Sequence, residues 1–161
     1  MQPLKLDFAN AFNSIHRDAV LPAVAAPFPS LARWVTWCYR QPTRLQFADQ
    51  ALESQSGMQQ RDPLGPLLFS VGLQPIASEL RSCGLDIAVH YLDDGILAGD
   101  VSAVSRALQL VQRVQRKAGA IGLAVNLQKC QVVAVGAADQ AGLHAHFPHA
   151  LLRHGSGLSQ L

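Results

Sequence analysis

The sequence predicts an α+β domain, with a mostly antiparallel sheet in a split βαβ order and helices covering one face. Three observations predict it. Short apolar alternations of strand type occur near residues 4–8, 89–97 and 131–135. Between them lie longer segments in which apolar residues recur at helical spacing. The chain has 161 residues, 49% hydrophobic and only 15% charged, enough apolar surface for one domain with a real core.

Each element follows from local chemistry. Leu4, Leu6 and Phe8 alternate with Lys5 and Asp7, which gives a short strand ending near Asp7. Asn13-Ser14 reads as a turn or cap, then a short helix from about His16 that ends before Pro22. Pro29-Ser30 caps a second helix to about Tyr39, with Leu31, Trp34, Val35 and Cys38 on one face. Thr43–Ala48 and Ala51–Ser56 form a hairpin around Asp49-Gln50. Asp62 is a good N-cap and Pro63 a good first residue for a helix to about Ser82, which Gly84 terminates.

Val89 and Tyr91, then Ile96 and Leu97, flank a tight Asp-Gly turn, so Asp93 and Asp94 stand at the tip of a hairpin. Ser102 opens a long helix in which Val104, Ala107, Leu108, Val111, Val114, Ala118 and Ile121 keep helical spacing until Gly122. Gln131–Val135 is a last strand. Beyond Gly136 periodicity is lost. The expected organisation is therefore a domain over residues 1–136 and an irregular tail over 137–161, and a split βαβ order sets the Asp7 strand beside the Asp93-Asp94 hairpin.

Composition excludes several classes. No apolar run reaches bilayer length and no signal-peptide pattern opens the chain, so an intracellular protein with no membrane partner is expected. Cys38, Cys83 and Cys130 are odd in number and widely spaced, which argues for reduced thiols and against a disulfide frame or zinc site. A formal charge of +2 permits nucleic-acid binding without arguing for it. His144, His146, His149 and His154 do not place a pair on one helix face, and Pro148 interrupts them; a solvated tail is expected, not a metal site.

Asp93 and Asp94 repel each other unless a cation lies between them. Carboxylates from separate strands holding two divalent ions about 3.5–4 Å apart are a recurrent device for in-line phosphoryl displacement. Taken alone, an Asp-Asp-Gly turn is better read as a solvated hairpin tip.

Four ordered blocks, spanning Leu4 to about Val135, resemble the palm of reverse transcriptases, above all those of non-LTR retrotransposons and group II introns. Leu6-Asp7-Phe8-Ala9-Asn10-Ala11-Phe12-Asn13-Ser14-Ile15 is similar to the first palm motif, and Gly57-Met58-Gln59-Gln60-Arg61-Asp62-Pro63-Leu64-Gly65-Pro66-Leu67-Leu68-Phe69 to the second. Tyr91-Leu92-Asp93-Asp94 resembles the third, and Gly122-Leu123-Ala124-Val125-Asn126-Leu127-Gln128-Lys129-Cys130 the fourth.

The resemblance implies an RNA-directed DNA polymerase that adds dNTPs to a primer 3′-hydroxyl on an RNA or DNA template. It implies two Mg²⁺ ions, with Mn²⁺ an alternative, bridged by Asp7 and Asp93 and joined by the backbone carbonyl of Phe8. Asp94 is the less direct ligand, acting mainly through local charge. Phe12 is implied to stand against C2′ of the incoming sugar, Gln60 and Arg61 to line the nucleotide and template pocket, and Lys129 to protonate the leaving pyrophosphate.

Arg61 departs from the pattern, which has glycine there. Glycine allows close backbone approach and unusual dihedrals. An arginine is expected to crowd the pocket or shift the loop, although it could instead contact phosphate. The family also carries fingers before the first motif and a thumb after the palm. Both are expected to be missing from this chain, as segments of a longer polyprotein, leaving the palm inactive or very weak by itself. The alternative is a non-catalytic retroelement relic with weak nucleic-acid binding. A nucleotide cyclase is disfavoured because its Gly-Gly-acid turn is absent.

Overall fold

The computed structural model describes residues 1–116, 121–134, 145–147 and 151–154. They form two compact units. The first contains Met1–Ala9, Pro75–Arg116 and the described residues from Ala124 onward; the second contains Asn10–Gln74 and Ile121–Leu123.

The first unit is built on a five-stranded sheet of order β4-β5-β1-β6-β7. Its strands are β1 (Gln2–Asp7), β4 (Ile87–Tyr91), β5 (Asp94–Gly99), β6 (Gln131–Ala134) and β7 (Leu151–His154). All pairings are antiparallel except β6 with β7. In β1 the alternation of the sequence becomes alternation of burial: Leu4 and Leu6 are fully buried while Lys5 is exposed. Their face meets helix α5 (Val101–Arg116), whose Ala103, Val104, Ala107, Leu108 and Val111 are buried as its period requires. The Asp100 carboxylate caps α5, accepting from Ala103 N–H at 2.7 Å, so the helix opens just before the expected Ser102.

Sequence and structure differ at the hairpin. Tyr91 pairs with Asp94, so the two-residue turn is Leu92-Asp93 and not Asp-Gly. Leu92 takes a left-handed φ of 55° to make it. Gly95 lies inside β5, opposite Leu6 and His90. A Cβ there would sit 2.9 Å from His90 Nδ1 and 3.2 Å from Leu6 Cβ. The glycine is needed for that close approach, not for the turn.

The second unit holds α1 (Ala11–Ser14), α2 (Arg17–Ala25), α3 (Pro29–Tyr39), the hairpin β2 (Thr43–Phe47) and β3 (Gln50–Ser54), and the first part of α4 (Gly65–Arg81). The remainder of α4 belongs to the first unit. Helix α2 continues through Pro22, against expectation, because Val20 and Val24 on either side are completely buried and outweigh one missing hydrogen bond.

Three motif blocks meet around α1. Gly57 N–H donates to the Ile15 carbonyl at 2.9 Å, Met58 N–H to that of Phe12 at 2.8 Å, and His16 N–H to that of Ile121 at 2.8 Å. The glycines at 57 and 122 have φ of 73° and 83°, and a Cβ on either would collide with backbone at 2.5 Å (Asn13) or 2.3 Å (Ser14). The tail strand β7 has no counterpart in the sequence reading; Ala134 is the last described residue of β6, and residues 135–144 lie outside the description, as do His144, His149 and the side chain of His154.

Candidate active site

The site is assembled by sheet register. Asp7 ends β1 and is the direct cross-strand partner of Asp94, the first residue of β5. Partners of this kind point to the same face, with Cα atoms about 4.5–5.5 Å apart. Asp93 stands in the adjoining turn, half-buried, while Asp94 is exposed. Two of the three acids are thus brought into register at one end of the sheet, and the third adjoins them. Among the described residues, no three His, Cys, Asp or Glu side chains group closely enough to hold a metal by themselves.

Asp7 is held from below. Its carbonyl accepts Asn126 N–H at 2.9 Å, and the Cys130 thiol lies 3.9 Å from the same oxygen. Burial pushes that thiol's pKa up. Ala9 N–H donates to the Ala124 carbonyl at 2.7 Å, so the Phe8–Val125 bridge is made by the flanking residues. Phe8's own carbonyl is therefore directed away from that segment. Lys129, exposed, occupies the turn after Asn126, its N–H bonded to the Asn126 carbonyl at 3.0 Å.

One oxygen decides whether a cation fits here. Asp7 Oδ1 is buried and finds no hydrogen-bond partner among the described residues. An unpartnered buried carboxylate oxygen is costly. Asp94 and Asp93, next to it by register and in the adjoining turn, are likewise oxygen donors, the chemistry that suits magnesium, which retains water or substrate oxygens at its remaining positions. The residues present fit a hard divalent cation.

Sequence reasoning missed Lys5. Its ammonium lies 3.6 Å from Asp94 Oδ1, with both side chains more than half exposed. The signal was available, since Lys5 and Asp7 are two apart on one strand and share a face. His90 was missed too. Both its ring nitrogens are buried without partners among the described residues, and burial, then Arg81, lowers its pKa.

In the second unit, half-buried Phe12 stacks on Phe69 with centroids 4.8 Å apart and planes at 11°. Arg61 keeps a left-handed φ of 71°, the conformation expected of the glycine it replaces. The loop before α4 is anchored by a network that no local sequence signal reveals. Tyr39 donates its hydroxyl hydrogen to the Asp62 carboxylate and accepts Gln59 N–H at 3.3 Å. Burial and the Asp62 bond push its pKa up to about 12. Buried Arg17 stacks over the Tyr39 ring at 5.3 Å and donates to Gly57 O, Ser54 O, Ser54 Oγ and Ser56 O.

The comparisons with known proteins bear on the family and the fold. The family model for reverse transcriptase (RNA-dependent DNA polymerase) matches residues 3–147. The chain belongs to the reverse transcriptase family. No curated protein matches it. A solved structure of apo telomerase from Candida tropicalis, truncated from its C-terminal domain, is similar with a TM-score of 0.65 at 13% identity. The likeness covers 86% of this chain and 31% of that one, so the reverse transcriptase-like chain spans about a third of that structure's length. At that identity the resemblance speaks for the fold. Among the described residues of this reverse transcriptase family member, no helix is long and apolar enough to cross a membrane.

Proposed function

We propose that this chain is the palm of a retroelement-encoded RNA-directed DNA polymerase, transferring dNTPs to a primer 3′-hydroxyl on an RNA or DNA template. The observation that carries the reading is Asp7: directly opposite Asp94, beside the turn that holds Asp93, with a buried oxygen lacking a partner among the described residues. Asp7, Asp93 and the Phe8 carbonyl would hold magnesium or manganese, with Asp94 adding negative charge. When bound, such a cation lowers the pKa of an attacking hydroxyl and neutralises a departing pyrophosphate.

The chain's own residues do the remainder. Asn126 fixes the Asp7 backbone and opens the turn that contains Lys129, to which the proposal assigns proton donation to the leaving group. Phe12 stacks one ring face on Phe69, and the proposal assigns it the role of a steric check on a 2′-hydroxyl. Gln60 and Arg61 are assigned to the nucleotide and template. By itself the chain is proposed to act weakly. Its acids make no closed metal cage among the described residues, and a charge of +2 holds a duplex poorly, the more so as salt rises.

Arginine at position 61, where the family has glycine, favours a second reading, a non-catalytic relic. Mn²⁺ binding followed by electron paramagnetic resonance, together with primer extension on RNA, separates the two. The polymerase reading expects weak Mn²⁺ binding lost in Asp7→Asn and Asp93→Asn, and any extension reduced at least about a thousandfold by Asp93→Asn. Mn²⁺ binding that ignores both substitutions, with no extension, would establish the relic.

A further inference from the structure

The sheet of the first unit has a free edge at β4, the end strand of the order β4-β5-β1-β6-β7. Tyr91 and Asp94 close a two-residue turn, so residues 91, 89 and 87 turn their N–H and C=O groups inward to β5. Those of Ala88 and His90 face outward. No hydrogen bond takes them up among the described residues. Every side chain of β4 is exposed or half-buried, which leaves the edge open to solvent among the described residues of this unit.

An open edge is ordinarily blunted by lysine, proline, a bulge or an inward-pointing charge. The strand Ile87-Ala88-Val89-His90-Tyr91 has no acid, lysine, arginine or proline, and its register with β5 runs unbroken. Burial lowers the pKa of His90, as does Arg81, so that side chain is neutral near pH 7. Alternation sets Ile87, Val89 and Tyr91 on one face, 41%, 58% and 79% exposed, beside Ile96 of β5, 50% exposed. Free backbone groups and an apolar row are what a further strand requires.

The strand is also complementary to itself. Set antiparallel about a two-fold axis at Val89, two copies pair Ala88 with the partner's His90 and His90 with the partner's Ala88. The outward N–H and C=O groups of both copies are then all taken up. Ile87 meets the partner's Tyr91, a β-branched side chain against an aromatic one, and Val89 meets the partner's Val89. With no charge on the strand, no charge faces its own copy across the axis.

We infer that this chain forms a two-fold dimer by antiparallel pairing of β4 with β4 of a second copy, which joins the two sheets into one. The symmetry uses up the β4 edge of each copy, so association there stops at two. A pair of five-residue strands buries less than the about 1,200 Å² of a standard interface, so the dimer is weak and reversible. Dimerisation requires neither metal nor nucleic acid. Because β4 leads straight into the turn that holds Asp93, pairing also steadies the strand from which that turn departs.

Sedimentation velocity on the full chain, without metal or nucleic acid, should show monomer at about 1 μM and a growing dimer fraction towards about 100 μM, with no larger species. Val89→Lys puts two ammonium groups on the axis and should weaken association at least about tenfold, as should Val89→Glu; an equimolar mixture of the two should restore it. Ala88→Pro removes an outward N–H without touching the β5 ladder and should weaken association as much. Val89 is exposed, so circular dichroism of its variants should match the parent chain. Cross-linking reads the position of the axis. Val89→Cys sets two sulfurs on it, where Cα atoms about 4.5 Å apart suit a disulfide, so oxidation should give a covalent dimer. Tyr91→Cys replaces a more exposed side chain but stands roughly 13 Å along the strand from its own copy, so it should not. The parent chain, with its three free cysteines, is the control.

A chain still monomeric at about 100 μM would overturn the assignment. So would a dimer indifferent to Val89→Lys or not restored by the mixture, or cross-linking of Tyr91→Cys as fast as that of Val89→Cys.

Discussion

Gly57→Ala tests how the second motif block is joined to the first. Two effects add. Alanine at a φ of 73° carries a left-handed penalty of about 1–2 kcal/mol, reduced by about 0.5–1 kcal/mol because glycine loses more entropy on folding. The new Cβ would also stand 2.5–2.6 Å from the Cα, carbonyl carbon and oxygen of Asn13, all of them backbone. Relief requires a movement of about 1 Å, which takes the Gly57–Ile15 and Met58–Phe12 hydrogen bonds from 2.9 and 2.8 Å beyond useful length. At about 0.5–1.5 kcal/mol each, their weakening brings the expected cost to about 2–4 kcal/mol. Gly84→Ala is the control. Its φ is 75°, but a Cβ there meets only Arg106 Nη2 at 3.5 Å, so about 1 kcal/mol or less is expected. In urea the Gly57→Ala midpoint should fall by about 1–2 M, with a much smaller shift for Gly84→Ala. Equal shifts in the two variants would refute the close-approach argument and leave only backbone dihedral strain.

Three further outcomes follow from individual side chains. Arg61→Gly should raise unfolding stability by up to about 1.5 kcal/mol in urea melts, because the left-handed penalty is relieved and only partly offset by glycine's entropy, while oligonucleotide binding weakens. His90 has a pKa below its unfolded value of 6.5, so the unfolded chain binds the extra proton and stability falls as pH drops below about 6.5. His90→Gln should flatten that part of a stability–pH profile. Lys5→Ala removes a cation 3.6 Å from Asp94 in an exposed pair worth at most about 1 kcal/mol, so stability should barely change while Mn²⁺ affinity rises by up to about fivefold in spin-resonance titrations.

What was legible in the sequence was what depends on local pattern. Alternation placed β1 and its end at Asp7, and helical spacing placed α3 and α5, because burial on one face is the cause of both the pattern and the element; cap and breaker residues placed α4 to within two residues. The pairing of Asp7 with the Asp94 strand was legible too, since a split βαβ order leaves few alternatives. Features set by distant neighbours were not. An Asp-Gly pair signals a turn only when nothing else needs the glycine, and here His90 and Leu6 occupy the space a Cβ at 95 would take. Pro22 ends a helix only when flanking burial is weak, and Val20 and Val24 are wholly buried. Arg17, an ordinary cation in sequence, becomes the anchor of residues 54–57 through four hydrogen bonds across some forty positions of chain. For the acids, the motifs singled out Asp7, Asp93 and Asp94 as candidates; only register and burial revealed the unpartnered Asp7 oxygen and the Lys5 ammonium beside Asp94.

Backbone strain ties these findings together. Non-glycine residues with positive φ are Asn10, Ala48, Arg61 and Leu92 among the described residues. Ala48 and Leu92 each open the two-residue turn of a hairpin, β2–β3 and β4–β5, where such a conformation is ordinary. Asn10 precedes α1, and asparagine adopts the left-handed region more readily than other residues because its short polar side chain bonds locally. Arg61 has neither justification, so its backbone costs about 1–2 kcal/mol that a glycine would largely avoid. Fold stability alone would select against it, and strain of that kind persists where the surrounding structure fixes a side chain for use.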